Sequence, residues 1–579
     1  MSALVDGANW QERAAKKRQE CANKIPEEWK IPAQLLAELE TPFADKRNDL
    51  IRAQTIRKSG ILTDRELEIT EDYQVDDLIS ALADGSLTSV EVTLAYSKRA
   101  ALAQQLVSCL TETMFEEARE RAVFLDGQRA QGKLVGPLHG LPISIKDNFN
   151  FKGVDSTIGM VSFLDEKSPE NSPLVDILLG LGAVLFVKTN VPQTMMTTDS
   201  HNNVFDRTLN PWNTKLGPGG SSGGEGALIA LRGSPLGVGT DIGGSIRIPA
   251  HCCGLYGFRP SAQRVPNGGM RGFNTSGMKF LLSCAGPLSS DLNGIETFFK
   301  SVFETEPGRL DSSVLDIPWR EVPVKCSTLK IGVVPESSIF PLHPPVRRAL
   351  TEAVRLLEAQ GHQVVQLTEE ECRIVESNEI GWSLFGLDQG SQKHLESTGE
   401  PPVPAMHYLH KQAEKLMGFY KPTLPDTTSL DPLHKLALLN THRANLREAY
   451  RKMWLEHDLD ICIAPPAQTT AVPHDTFGLA PYTTFTNVLD VSQITAATLC
   501  SSSNTYRSIH LVSYHSGKSA SRMLMKALWL MNTNLGLTVN DFEQLEGTPC
   551  SIQLFTTTMR DEECLQMAKQ IDQCLKNSI

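Results

Sequence analysis

Long apolar runs are missing from this 579-residue sequence. A bilayer-spanning helix needs about 20 consecutive apolar residues. The best candidate, residues 174–187, is interrupted by Asp176, Gly180 and Gly182 and reads instead as a helix running into a strand. The first residues, MSALVDGANWQERAAKKRQE, carry no uninterrupted apolar core of the roughly 7–15 residues that an export signal requires. Basic excess is missing too. The chain has 55 Lys and Arg against 67 Asp and Glu, a net charge of −12, which argues against a general nucleic-acid binder. Twelve cysteines occur without one C-x-x-C pair, so free thiols in a reducing compartment, the cytoplasm, are expected. The adjacent Cys252 and Cys253 are expected to be buried packing residues. No fixed-period repeat or long low-complexity linker divides the chain, which is long enough for one large enzyme domain.

What is present alternates. Residues 1–70 are rich in charge and helix formers and are predicted to be a helical extension packed on a core spanning 71–579. Thr63 with Glu66, and Thr88 with Glu91, have capping-box spacing. Short apolar runs read as strands: LPISIK (141–146), AVLFVK (183–188), KIGVV (330–334), VVQL (364–367), LDICIAPP near 460 and SIQLF (551–555). Between them lie helical patterns, such as Val346, Ala349, Leu350, Ala353, Val354 and Leu357, opened by Pro345 and closed by Gly361. A further helix is expected from Asp561. Strands alternating with amphipathic helices imply an α/β fold, one sheet covered on both faces.

The segment 217–247, GPGGSSGGEGALIALRGSPLGVGTDIGGSIR, holds eleven glycines where the chain average of 42 in 579 gives about two. Such density means backbone that turns sharply or approaches a ligand closely. A phosphate-binding P-loop fails for want of a following lysine, and G-x-G-x-x-G fails because Ser222 stands where the third glycine belongs. Gly220 to Gly224 does match the G-x-S-x-G nucleophile elbow, but that elbow must follow a buried strand. Here it follows the polar, proline-containing NPWNTKLGPGG. A flexible linker is disfavoured by the apolar LIAL and PLGVG inside the segment.

The same residues resemble the amidase signature family. GGSSGGEGALIALRGSPLGVGTDIGGSIRIPA is similar to its serine- and glycine-rich signature, GPLHGLPISIKDN to its lysine motif, and KTNVPQTM (188–195) to the stretch between. The likeness spans most of residues 60–490 and is greatest to fungal acetamidase-type amidases, with fatty acid amide hydrolase more distant. It implies a single large domain around a twisted mixed sheet. It also implies a Ser-Ser-Lys triad: Ser245 as nucleophile, Ser221 as proton shuttle after a cis Gly220–Ser221 peptide, and Lys146 as base. The backbone N–H groups of Ile242, Gly243, Gly244 and Ser245 would face the oxyanion, and Met195 would line the acyl site. Ser222 would assist by hydrogen bonding, and Thr240, Asp241 and Arg247 would support the nucleophile loop. An unperturbed lysine is a poor base at neutral pH, and burial is what would make it one. His139 and His201 would be structural, since the family chemistry uses no histidine, metal or organic cofactor.

The implied activity is hydrolysis of a small acetamide-like amide through an acyl-enzyme, releasing a carboxylate and ammonia or an amine. Its partner is a small-molecule amide, not nucleic acid, and a homodimer is compatible. Three alternatives stand beside it: an inactive amidase-fold scaffold, a biosynthetic amidase or acyltransferase, and the amidase subunit of a tRNA-dependent amidotransferase. The acidic charge speaks against the last. One absence breaks the likeness. Residues 491–540 contain no Asp or Glu where the chain average of 67 in 579 predicts about six. This tract is expected to be foreign to the fold, which puts a core strand near 491–497 in doubt.

Overall fold

Three apolar segments set the frame: Pro142–Lys146 (β2), Val184–Thr189 (β3) and Leu236–Asp241 (β6). They are buried along their whole length, as parallel strands covered on both faces must be. The computed structural model describes residues 9–275, 277–323, 328–417, 421–496, 545 and 547–577. β2 pairs in parallel with both β3 and β6. Parallel neighbours need long crossovers, here containing the helices Pro173–Gly180 and Gly223–Ala230.

Around this trio the sheet is mixed. Leu110–Thr113 (β1) runs antiparallel to β3, and Cys284–Ser289 (β8) runs antiparallel to β6. Beyond β8 follow Tyr256–Arg259 (β7), Gln493–Ala496 (β12), Ile552–Phe555 (β13), Ile461–Ala464 (β11), Lys330–Val333 (β9) and Gln363–Gln366 (β10). The full order is β1-β3-β2-β6-β8-β7-β12-β13-β11-β9-β10, and His201–Asn202 (β4) with Asp206–Arg207 (β5) forms a separate ribbon. The fold is α/β, with one large mixed sheet.

The capping boxes form as their spacing predicts. Thr63 and Glu66 open the helix Asp64–Glu71, and Thr88 and Glu91 open Ser89–Val107. The helix Trp10–Asn23 lies on the core through Trp10 and Ala14, packed with Val161, Leu164, Val204 and Phe205. Its Lys17 reaches the buried Glu112 and Asp155. The strand in doubt near 491–497 is present as β12. It lies between β7 and β13 in antiparallel register, pairing Ile494 with Phe258 and Leu554. The remainder of the tract, 497–540, lies outside the described residues.

Candidate active site

β2, β3 and β6 end side by side, and their last residues are Lys146, Thr189 and Asp241. Ligands of open α/β sheets bind outside such carboxyl ends. Lys146 is fully buried. Its Nζ donates to Ser221 Oγ at 2.7 Å, Thr240 Oγ1 at 2.9 Å and the Thr240 carbonyl at 3.3 Å. Among the described residues no acidic oxygen lies within ion-pair distance of it. Burial pushes its pKa down to about 7, although Asp241 and Glu225 pull the other way. An amine with its proton affinity so lowered is partly neutral near pH 7 and able to accept a proton.

Ser221 follows a cis Gly220–Ser221 peptide, one residue before the cap of the helix Gly223–Ala230. This helix starts against the β3 loop, because a Cβ on Gly224 would lie 2.3 Å from Asn190 N and 2.5 Å from the Cys109 carbonyl. No strand leads into Ser222, so the nucleophile-elbow geometry is absent among the described residues. The Ser222 N–H instead donates to the Ser245 carbonyl at 3.1 Å. That bond ties the Ser221 turn to the loop 242–246.

The loop is held from below by the Asp241 carboxylate. Its oxygens accept the Gly244 N–H at 2.8 Å, the Ile246 N–H at 3.1 Å and Asn487 Nδ2 at 2.9 Å. Arg247 grips the same carboxylate through Nε and Nη2, both at 3.0 Å, and both side chains are fully buried. Burial alone would raise the Asp241 pKa, but the Arg247 charge holds it far below the usual carboxylate range. Arg247 also reaches Thr486 Oγ1 and Gln553 Oε1, each at 2.8 Å. From above, Thr483 Oγ1 donates to the Gly243 carbonyl at 2.7 Å. Gly244 has φ +125°, and a Cβ there would lie 2.3 Å from Thr483 Oγ1, so only glycine fits.

Within this clamp Ile242, Gly243 and Ser245 are only half-buried, so the loop opens outward. The four backbone donors expected to face an oxyanion are not alike. The Gly244 N–H is occupied by Asp241, whereas those of Ile242, Gly243 and Ser245 have no acceptor among the described residues. Ser245 Oγ is likewise without a hydrogen-bond partner there. Met195 stands in a turn of positive φ with Thr194 and packs, half-buried, against Ile158, Met160, Phe163 and Leu395. Ser222 Oγ donates to the Thr240 carbonyl at 3.4 Å. His139 Nδ1 accepts the Val135 N–H, and His201 contacts Arg207 and Asp475; neither histidine touches the serines. Cys252 and Cys253 are fully buried thiols, and burial raises both.

Several contributors escaped the sequence. Thr483, Thr486 and Asn487 come from the helix Pro481–Leu489 and Gln553 from β13. Phe385, at the end of the helix Ile374–Phe385, closes on Gly243, whose added Cβ would lie 3.9 Å from the ring. A glutamine inside the apolar SIQLF was a signal for Gln553; nothing in the sequence singled out Phe385.

A buried lysine, two serine-bearing turns and a clamped glycine loop thus converge at the ends of parallel strands. The Amidase family model matches residues 91–565, and the chain belongs to that family of amide-hydrolysing enzymes. It is 35% identical to an acetamidase of Emericella nidulans over 582 aligned residues, covering 99% of each chain. It is 37% identical to an amidase of Gibberella moniliformis over 486 residues, covering 83% of this chain and 88% of that protein. Among solved structures, fatty acid amide hydrolase superposes with a TM-score of 0.80 at 29% identity, covering 98% of this chain and 95% of that one.

Proposed function

We propose that the chain hydrolyses a small, acetamide-like carboxamide through an acyl-enzyme on Ser245. Neutral Lys146 takes the Ser221 proton as Ser221 takes that of Ser245, and the Ser245 oxygen attacks the carbonyl carbon. The negative oxygen so formed is met by the N–H groups of Ile242, Gly243 and Ser245, donors fixed before the reaction begins. The relay then reverses, the leaving nitrogen receives the proton, and the C–N bond breaks. Water attacks the ester by the same route, freeing the carboxylate and restoring Ser245. Gly244 serves this site as the residue that lets the loop turn, its N–H being committed to Asp241.

The observation that carries the proposal is the 2.7 Å contact between Ser221 and a lysine with no acidic partner among the described residues. A buried ammonium without a counter-ion is strongly disfavoured, which supports a neutral amine, the form a base must have. The small substrate is favoured by likeness to an acetamidase along the whole chain and by Phe385 standing over Gly243.

A fluorophosphonate serine probe tests this directly. Intact mass should show one adduct, mapped to Ser245, absent in Ser245→Ala and formed more slowly in Lys146→Ala. The wild type should release ammonia from acetamide. Folded wild-type protein that takes no adduct and releases no ammonia refutes the proposal.

A further inference from the structure

Five acidic side chains among the described residues have no exposed surface: Asp147, Glu225, Asp241, Asp561 and Glu562. Four face a cation. Asp147 has Lys188, Asp241 has Arg247, and Asp561 and Glu562 share Arg264. Glu225 has none within ion-pair distance among the described residues. It lies on the helix Gly223–Ala230, four residues after Ser221. Its oxygens meet only hydroxyls, Ser144 Oγ at 2.6 Å and Thr189 Oγ1 at 2.9 Å.

Those two hydroxyls flank the base. Ser144 stands two residues before Lys146, on the same face of β2, and Thr189 is the register partner of Lys146 on β3. The sheet is shaped to admit the carboxyl, because a Cβ on Gly237 would lie 2.1 Å from Glu225 Oε2 and 2.8 Å from Ser144 Oγ. A hydroxyl donates or accepts equally well, so this site satisfies a neutral carboxyl as fully as a carboxylate. Burial without a counter-charge favours the neutral one.

We infer that Glu225 is a positioning residue held as an uncharged carboxylic acid, bracing β2 and β3 beneath Lys146 without placing a negative charge beside it. A carboxylate there would hold a proton on the amine, and an apolar residue would leave Ser144 and Thr189 unpaired. The inference rests on Lys146 being the base. The groups facing the pair are few. Lys146 is faced by Glu225 and by Asp241, whose charge Arg247 matches. Glu225 is faced by Lys146 and the Cys109 thiol. Burial raises Glu225 to about 8 against its hydroxyl partners and Lys146, and lowers Lys146 to about 7.

Infrared spectroscopy of the whole protein, labelled at glutamate, reads the carboxyl without turnover. The wild type should show a protonated-carboxyl C=O band at pH 7 that fades above about pH 8 and is missing from Glu225→Gln. In amide hydrolysis, Glu225→Ala should lower kcat/KM by about tenfold to a hundredfold, as a displaced base does. Glu225→Gln, which keeps both hydroxyl partners, should restore most of that loss with the acid limb of the pH profile unmoved. Absence of the band in the wild type overturns the inference. So does an acid limb shifted down by about one pH unit in Glu225→Gln, the sign of a charge removed from beside the base. Lys146→Ala should lose the wild-type acid limb; if it keeps it, Lys146 is not the base and the role given to Glu225 falls. The band would still report the state of its carboxyl, so the two failures are distinct.

Discussion

Replacing Arg247 with alanine removes a guanidinium that makes two bonds to Asp241 and others to Thr486, Gln553 and Asn487, with no exposed surface on either side of the ion pair. Asp241 would keep three N–H donors, from Gly244, Ile246 and Asn487, but lose its only ion pair among the described residues. Breaking a buried pair from one side costs about 3–5 kcal/mol, because the remaining charge stays in a medium that solvates it poorly. The sign with pH follows. In the wild type the Asp241 pKa lies below its unfolded value, so the group stabilises the fold above that value and ceases to as pH falls through the native one. In Arg247→Ala burial dominates and the native pKa rises above the unfolded one. The penalty is then full above the native value and eases as pH falls, so the gap between variant and wild type narrows on acidification. Urea unfolding followed by tryptophan fluorescence, with reversibility established by refolding, measures both. A loss below about 1 kcal/mol at pH 7, or a gap that widens toward pH 5, refutes the reasoning. An Arg247→Met, Asp241→Asn pair adds a control: it should cost less than the two single changes summed, since neither charge is stranded.

Lys146 should behave in the opposite sense. Its native pKa of about 7 lies below the ordinary lysine value, so the unfolded chain binds a proton that the folded chain sheds. The resulting penalty is full below about pH 7 and is relieved as pH rises toward the ordinary value, a matter of a few kcal/mol. Lys146→Met should therefore abolish amide hydrolysis yet raise the thermal midpoint at pH 7; a lowered midpoint would show that its hydrogen bonds outweigh its desolvation. Gly244→Ala, with a Cβ forced to 2.3 Å from Thr483 Oγ1 at φ +125°, should displace the loop and reduce kcat by at least about tenfold. A kcat within twofold of wild type would mean that the loop's position is not what sets the rate.

The sheet was legible where its strands are continuous apolar runs. PISIK, VLFVKT and ICIA are apolar runs because parallel or central strands meet no water. The helix Pro344–Ala359 was visible in its apolar spacing and its opening proline. β8 was not, since CAGPLS carries Gly286 and Pro287 where a strand pattern is sought. Glycine is needed at 286 because the strand is pressed against β7 there, with the Phe258 carbonyl 2.3 Å from where a Cβ would stand. The polar LTET of β1 escaped for the same kind of reason, as its burial is decided by what packs over it. In the candidate site, the lysine and both serines were legible because each sits in a long motif whose glycines reflect local backbone need. Thr486, Asn487, Gln553 and Phe385 were not, because their roles depend on distances across more than a hundred residues of chain. Glu225 was hidden differently: it was printed inside the motif, but only the structure reveals that no cation among the described residues lies within ion-pair distance of it.

That last contrast separates structural charge from chemical charge. Lys17 meets Glu112 and Asp155, Arg259 meets Asp490, and Arg264 meets Asp561 and Glu562. Each of these buried cations is matched by an acid, as a charge removed from water must be if it is to stay charged. Lys146 is surrounded by a serine hydroxyl, a threonine hydroxyl and a carbonyl. They can satisfy the three hydrogens of an ammonium for the moment it exists, but supply no countercharge to make it the resting form. A site built only for stability would have placed an acid there. Two are nearby, and both are turned elsewhere: Asp241 toward Arg247, and Glu225 toward Ser144 and Thr189. The fold thus accepts a fully buried lysine with no ion-pair partner among the described residues, and the protonation equilibrium of that lysine is what the proposed relay needs to draw on.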